Sequence, residues 1–159
     1  MKKRAGFTIL EVIVATAVTA VLFTAVLPMA GTAARIFRGV AAHNLARQTL
    51  DETASLFREL VGEATDARVT SGTPAELQGY GRIWCEGYKL YYQKPGESEK
   101  EYMPGTAFTL LLEPQGNALI IHIGIAEGAD TYSTDTAVLL PNIASIAGDS
   151  GSGILFKTG

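Results

Sequence analysis

Hydrophobic positions are spread unevenly along this chain. From Phe7 to Leu27 they form a run of Phe, Ile, Leu, Val, Ala and Thr, 21 residues interrupted by one charge, Glu11. As a helix, such a run is about 30 Å long, enough to cross a bilayer. Pro28 follows. Proline removes a backbone donor and crowds the preceding turn, so the pattern predicts a kink at Pro28 within one longer helix. Beyond it, Leu50, Ala54, Phe57, Val61 and Ala64 recur at steps of four and three, a single apolar stripe. Arg47, Asp51, Glu52, Arg58, Glu59 and Glu63 mostly occupy the other faces, and Arg35 and Arg38 stand where Arg can reach lipid headgroups. The spacing predicts a helix from Phe7 to about Arg68, on the order of 90 Å long. Residues 7–28 are apolar all round; residues 29–68 carry one greasy stripe that needs a sheet to cover it.

The stretch Val69-Thr-Ser-Gly-Thr-Pro74 is expected to break that helix, and residues 69–159 read as β-rich. Tyr80 to Gln93 is aromatic and partly β-branched. Lys94 to Lys100 is a polar turn from which Glu101–Met103 can return as a short strand. Phe108–Glu113 and Ala118–Ala126 are the clearest strands, joined by Pro114-Gln-Gly-Asn117 as a hairpin loop. Leu119, Ile121, Ile123 and Ile125 alternate with Ile120, His122, Gly124 and Ala126, so one side should face the long helix. Ala137–Leu140 and Ile154–Lys157 are later strand candidates. The expected fold class is α+β: a long N-terminal α-helix, membrane-spanning in its first half, packed on a C-terminal antiparallel β-sheet.

Composition narrows the picture. The chain has 159 residues, so about 130 remain outside a spanning helix, one modest domain. Thirteen Lys and Arg stand against 16 Asp and Glu, a formal net charge of −3, and no basic surplus is left to clamp nucleic acid. The one cysteine, Cys85, has no partner for an internal disulfide. It reads as a buried strand residue, with an intermolecular bridge or a lipid site as the alternative.

Glu11 is the residue that asks for a function. A carboxylate inside a spanning segment costs roughly 2.5–3.5 kcal/mol on insertion scales, which makes it a functional residue with a partner to find. Met1-Lys-Lys-Arg-Ala-Gly6 before it is short and basic, a bias that holds the N-terminus in the cytoplasm. An ordinary secretory signal, cut after small residues such as Val18-Thr19-Ala20, fits less well because a mid-segment Glu is out of place in its apolar core.

Taken together, Gly6-Phe7-Thr8-Ile9-Leu10-Glu11-Val12-Ile13-Val14-Ala15 resembles the class III signal segment of the type IV pilin superfamily, over roughly residues 1–30. That superfamily holds type IV pilins, competence pseudopilins and the pseudopilins of type II secretion systems. The resemblance implies cleavage by a prepilin peptidase after Gly6 and N-methylation of Phe7. It implies that Glu11 of an incoming subunit neutralises the Phe7 amine of a neighbour, an attraction strengthened by the low dielectric. It also implies a pilin-like architecture, with helix unwinding at Pro28 that lets filament subunits pack. Loss of the leader would leave 10 basic against 16 acidic side chains, a net of −6. The expected partners are other pilins or pseudopilins, the peptidase, an inner-membrane platform protein and an assembly ATPase acting indirectly. The expected location is the bacterial inner membrane, with one pass, the N-terminus cytoplasmic and the C-terminal domain periplasmic.

The globular part offers little chemistry. His43 and His122 have no paired metal spacing, and no Cys-x-x-Cys or phosphate-cradling loop is present. Gly148-Asp-Ser-Gly-Ser-Gly153 reads as a flexible loop. Its Gly-Asp-Ser-Gly is similar to the nucleophile segment of trypsin-like proteases, but a triad needs a base and an orienting acid on a much larger scaffold. Glu127, Asp130, Asp135 and Asp149 match no calcium loop. No catalytic residue, metal or cofactor is expected. The favoured reading is a pseudopilin of a type II secretion-like system, because many major type IV pilins close a C-terminal loop with a disulfide this chain cannot make, and a minor one, because no calcium loop is found. A minor type IV pilin in adhesion, motility or DNA uptake is the alternative, and a membrane-anchored enzyme or sensor a distant third.

Overall fold

The computed structural model describes residues 8–127 and 130–159. Its first element begins at a cap. Thr8 precedes the helix, and its hydroxyl accepts the amide of Glu11 at 3.3 Å, which satisfies one of the donors every helix start leaves open. Helix α1 then runs from Ile9 to Val61, 53 residues, with Pro28 inside it. Pro28 has no N–H, so the carbonyl of Thr24 lacks its usual donor, yet helical structure continues on both sides.

The helix stops at Val61, short of the expected Arg68, for a local reason. The Gly62 amide closes on the Arg58 carbonyl at 3.0 Å, and a Cβ at residue 62 would lie 2.5 Å from that same oxygen. The chain then changes period from 3.6 to 2. Ala64, Ala67 and Val69 are buried in strand β1, Ala64–Thr70. Ala64, counted above as the last rung of the helical stripe, is buried as a strand residue instead.

The chain divides into two compact units, one ending at Ala42 and one beginning at His43. The described part of the first is helix alone. The second holds the rest of α1 and eight strands: β1, β2 (Gly81–Glu86), β3 (Lys89–Gln93), β4 (Lys100–Tyr102), β5 (Ala107–Gln115), β6 (Ala118–Glu127), β7 (Asp130–Leu139) and β8 (Gly153–Thr158). The expected single sheet is two. One has the order β1-β8-β2-β3-β4, the other β5-β6-β7, and every strand pair is antiparallel.

Turn chemistry explains the finer differences. Gly87 and Tyr88 both have positive φ, 58° and 63°, the two-residue geometry that suits the strands' twist, so Tyr80–Gln93 folds as the β2–β3 hairpin. Pro114 and Gln115 belong to β5, and the turn to β6 is only Gly116-Asn117. The strand expected at Ala137 begins seven residues earlier, at Asp130.

The core of the second unit follows from alternation. Leu50, Ala54, Phe57, Leu60 and Val61 of α1 share one buried cluster with Ile83, Leu90, Ile154 and Phe156 of the larger sheet. Phe108 and Leu112 of β5 and Leu119, Ile121, Ile123 and Ile125 of β6 complete it. The expected apolar side of β6 is therefore the buried side. Gly148–Gly153 is stitched into place rather than left loose. Gly151 exchanges two backbone hydrogen bonds with Leu112, at 2.7 and 2.9 Å, and Ser152 accepts the Cys85 amide at 2.9 Å. A Cβ on Gly151 would sit 2.0 Å from the Thr70 carbonyl oxygen, so this segment runs where a side chain cannot go.

Candidate functional site

The first unit carries the residues singled out by sequence. Ile9, Leu10, Val12, Ile13, Val14, Val18, Val21, Leu22, Phe23, Val26 and Leu27 of α1 are all exposed, on every side of the helix. An 18-residue window reaches a mean hydropathy of 2.3 with none of it buried, so this helix is long and apolar enough to cross a membrane. An exposed surface of this size is unfavourable in water and calls for lipid or protein around it.

Its polar atoms are almost all spent internally. Thr16 donates to the Ile13 carbonyl at 2.9 Å, Thr19 to Ala15 at 2.7 Å and Thr24 to Val21 at 2.7 Å. Thr32 donates to the carbonyl of Pro28 at 3.1 Å. Such back-bonding lets a hydroxyl sit in hydrocarbon without an outside partner. Glu11 is different. It is exposed at the third helical position, and among the described residues no donor reaches its carboxylate. The spacing Thr8-x-x-Glu11 is that of a capping box, and an acid in the first turn suits the positive end of the helix dipole.

Residues 1–27 match the family model of the prokaryotic N-terminal methylation motif. The chain carries a type IV pilin-like prepilin segment. No curated protein and no solved structure matches the chain. The prepilin segment points to a prepilin peptidase substrate that assembles with other pilins as a structural subunit, and its apolar helix is consistent with a membrane anchor. Gly6 and Phe7, the cleavage and methylation positions, lie outside the described residues. The remaining sequence-derived site residues, Glu11 and Pro28, both lie on α1 before Ala42, seventeen positions apart.

Two features of the second unit escaped the sequence reading. On the outer face of the smaller sheet, His122 Nδ1 lies 2.8 Å from Asp135 Oδ1, and its Nε2 lies 3.7 Å from Glu113. The hydrogen bond to Asp135 raises the His122 pKa above its ordinary value; burial opposes it, and the charges of Asp135 and Glu113 add to the rise. The alternation of β6 already put His122 opposite Leu119 and Ile121. Only the register Leu111↔His122↔Asp135 brings the acids to it, and register is invisible along one strand. On the larger sheet, the Arg82 guanidinium lies 4.8 Å over the Trp84 ring and within 3.7 Å of both Glu76 and Glu99. Trp84 stacks on Tyr91 in turn, so this cluster closes the sheet's outer face. Cys85 is half-buried, its Sγ 3.3 Å from the Phe108 carbonyl, and burial raises its thiol pKa. Among the described residues no group of three His, Cys, Asp or Glu side chains could hold a metal ion.

Proposed function

We propose that this chain is a minor pseudopilin of a type II secretion-like system, stored in the inner membrane and assembled through its N-terminal helix into a short periplasmic filament. The observation that carries the reading is Glu11: one carboxylate without a donor among the described residues, on the first part of a helix where the threonine hydroxyls at 16, 19, 24 and 32 bond internally and apolar side chains are exposed on every side. A cleaved chain would begin at Phe7 with a positive amine, four residues before Glu11. In hydrocarbon, the amine of one subunit and the Glu11 of the next each remove the other's cost, which fixes the axial step between neighbours. Pro28 supplies the bend or local unwinding that lets such helices pack, because the Thr24 carbonyl is already free of its helical donor. A platform protein and an assembly ATPase in the inner membrane would drive the step. The role is structural, and no catalysis is assigned to the second unit.

Intact mass and N-terminal sequencing of the membrane-bound protein, with and without prepilin peptidase, test the processing step. A peptidase-dependent chain beginning at methylated Phe7 is expected. Glu11→Ala should leave that processing intact and sharply reduce incorporation into filaments recovered by shearing. Unchanged incorporation of Glu11→Ala overturns the proposal.

A further inference from the structure

The smaller sheet ends on β7, beyond which no strand lies among the described residues. Other edges are taken. β5 is flanked by Gly151, which bonds Leu112, and by Tyr88, whose carbonyl accepts the Phe108 amide at 2.8 Å. β1 is flanked by Ala147, and β4 is only three residues long. β7 by contrast runs ten residues in unbroken register with β6, and among the described residues no backbone group outside β6 pairs with it.

The parity of that ladder can be read from its end. The Leu140 amide donates to the Asn117 carbonyl at 2.9 Å, one step beyond the pair Leu139↔Ala118. Even-numbered residues of β7 therefore spend their backbone groups on β6. Thr131, Ser133, Asp135, Ala137 and Leu139 turn theirs away from the sheet, and all five are exposed. β7 has no Pro, no Lys and no bulge, and the one charge among its outward-turned residues is Asp135.

The edge also has a sign. No Lys or Arg occurs between Lys100 and Lys157. The charges on β7 are Asp130 and Asp135, and Glu113 stands on the same outer face two strands away. Leu139, 61 % exposed, adds an apolar contact at the far end of that face. A second copy fits poorly, since pairing β7 with itself about its centre sets Asp135 against Asp135, and like charges directly opposite destabilise a sheet.

We propose that β7 is a docking edge for an extended, Lys- or Arg-bearing segment of a different protein, which adds as a fourth strand to the smaller sheet. Backbone hydrogen bonds to the five odd-numbered residues supply the attachment, and a basic side chain on the outer face meets Asp135, whose other neighbour there is His122 at 2.8 Å. The inference does not depend on the role of the N-terminal helix.

The test uses the full chain in detergent micelles and two labelled peptides, one alternating Lys with Thr and the other Glu with Thr. Fluorescence anisotropy measures binding, and hydrogen exchange maps it. The Lys peptide is expected to bind about tenfold or more tightly than the Glu peptide, to weaken with salt, and to slow exchange of the β7 amides. Ser133→Pro removes one outward N–H without touching the ladder and should weaken binding about tenfold. Asp135→Lys, a surface change that leaves the backbone free, should erase the preference for the Lys peptide even if Ser133→Pro perturbs folding. Equal binding of the two peptides, protection outside β7, or no effect of Asp135→Lys overturns the proposal. Protection of β7 that grows with protein concentration and no peptide assigns the edge to a second copy and equally overturns it.

Discussion

Protonation of His122 places a positive charge between two carboxylates, and the consequence for stability has a definite sign. With its folded pKa raised by Asp135 first and Glu113 second, the stabilisation is complete below the ordinary histidine value of about 6.5. It is lost as pH rises through the higher folded value. The melting temperature of the full chain should therefore fall between about pH 6 and pH 8, and Asp135→Asn should flatten that slope. A slope unchanged in Asp135→Asn would mean that other groups carry it. Cys85 makes a second residue-scale test. Its thiol is half-buried with a raised pKa, so it should react slowly with iodoacetamide at neutral pH and quickly once the chain is unfolded, as read by mass spectrometry. Glu11 was legible because an acid in hydrocarbon is anomalous whatever the fold. His122 was not, since its meaning lies in neighbours thirteen and nine positions away that only pairing brings close.

At the scale of elements, period decided most of what could be read, and close approaches decided the rest. The buried side of β6 follows from simple alternation, and the stripe from Leu50 to Val61 follows from helical spacing. The end of α1 was missed because Ala64 fits either period and extended the stripe past Gly62, the glycine that marks the stop. The Gly/Ser-rich stretch at 148–153 looked loose for the same reason: small residues also mark places where two backbones touch. Gly151→Ala should cost about 1–3 kcal/mol, since its Cβ would overlap the Thr70 carbonyl and disturb the bonds to Leu112. Gly72→Ala, with open space around it, should stay within about 0.5 kcal/mol. Urea denaturation of the two variants distinguishes a stitched segment from a slack one. Phe57→Ala, which removes a fully buried ring from the helix–sheet core, should cost about 3–5 kcal/mol in the same assay.

For the whole molecule, the dominant fact is a division of labour along the chain. One unit exposes an apolar helix, and the other buries its own core. The protein should remain with membranes through alkaline carbonate washing and leave them only in detergent; release by carbonate would contradict the anchor. The α+β class was readable because both periods are strong and occupy separate stretches. The division into two sheets was not, since neither alternation nor turn residues say which strands become neighbours. The larger sheet's order has a temporal side. β8, the last element in the chain, lies between β1 and β2, which do not pair with each other. Without β8, β1 has no neighbouring strand and β2 lacks one of its two. The sheet therefore cannot close behind the advancing chain, and loop closure over some ninety residues comes last. The larger sheet is thus joined late, through β8, whereas the sequence-adjacent pairs β2–β3, β5–β6 and β6–β7 can form before it.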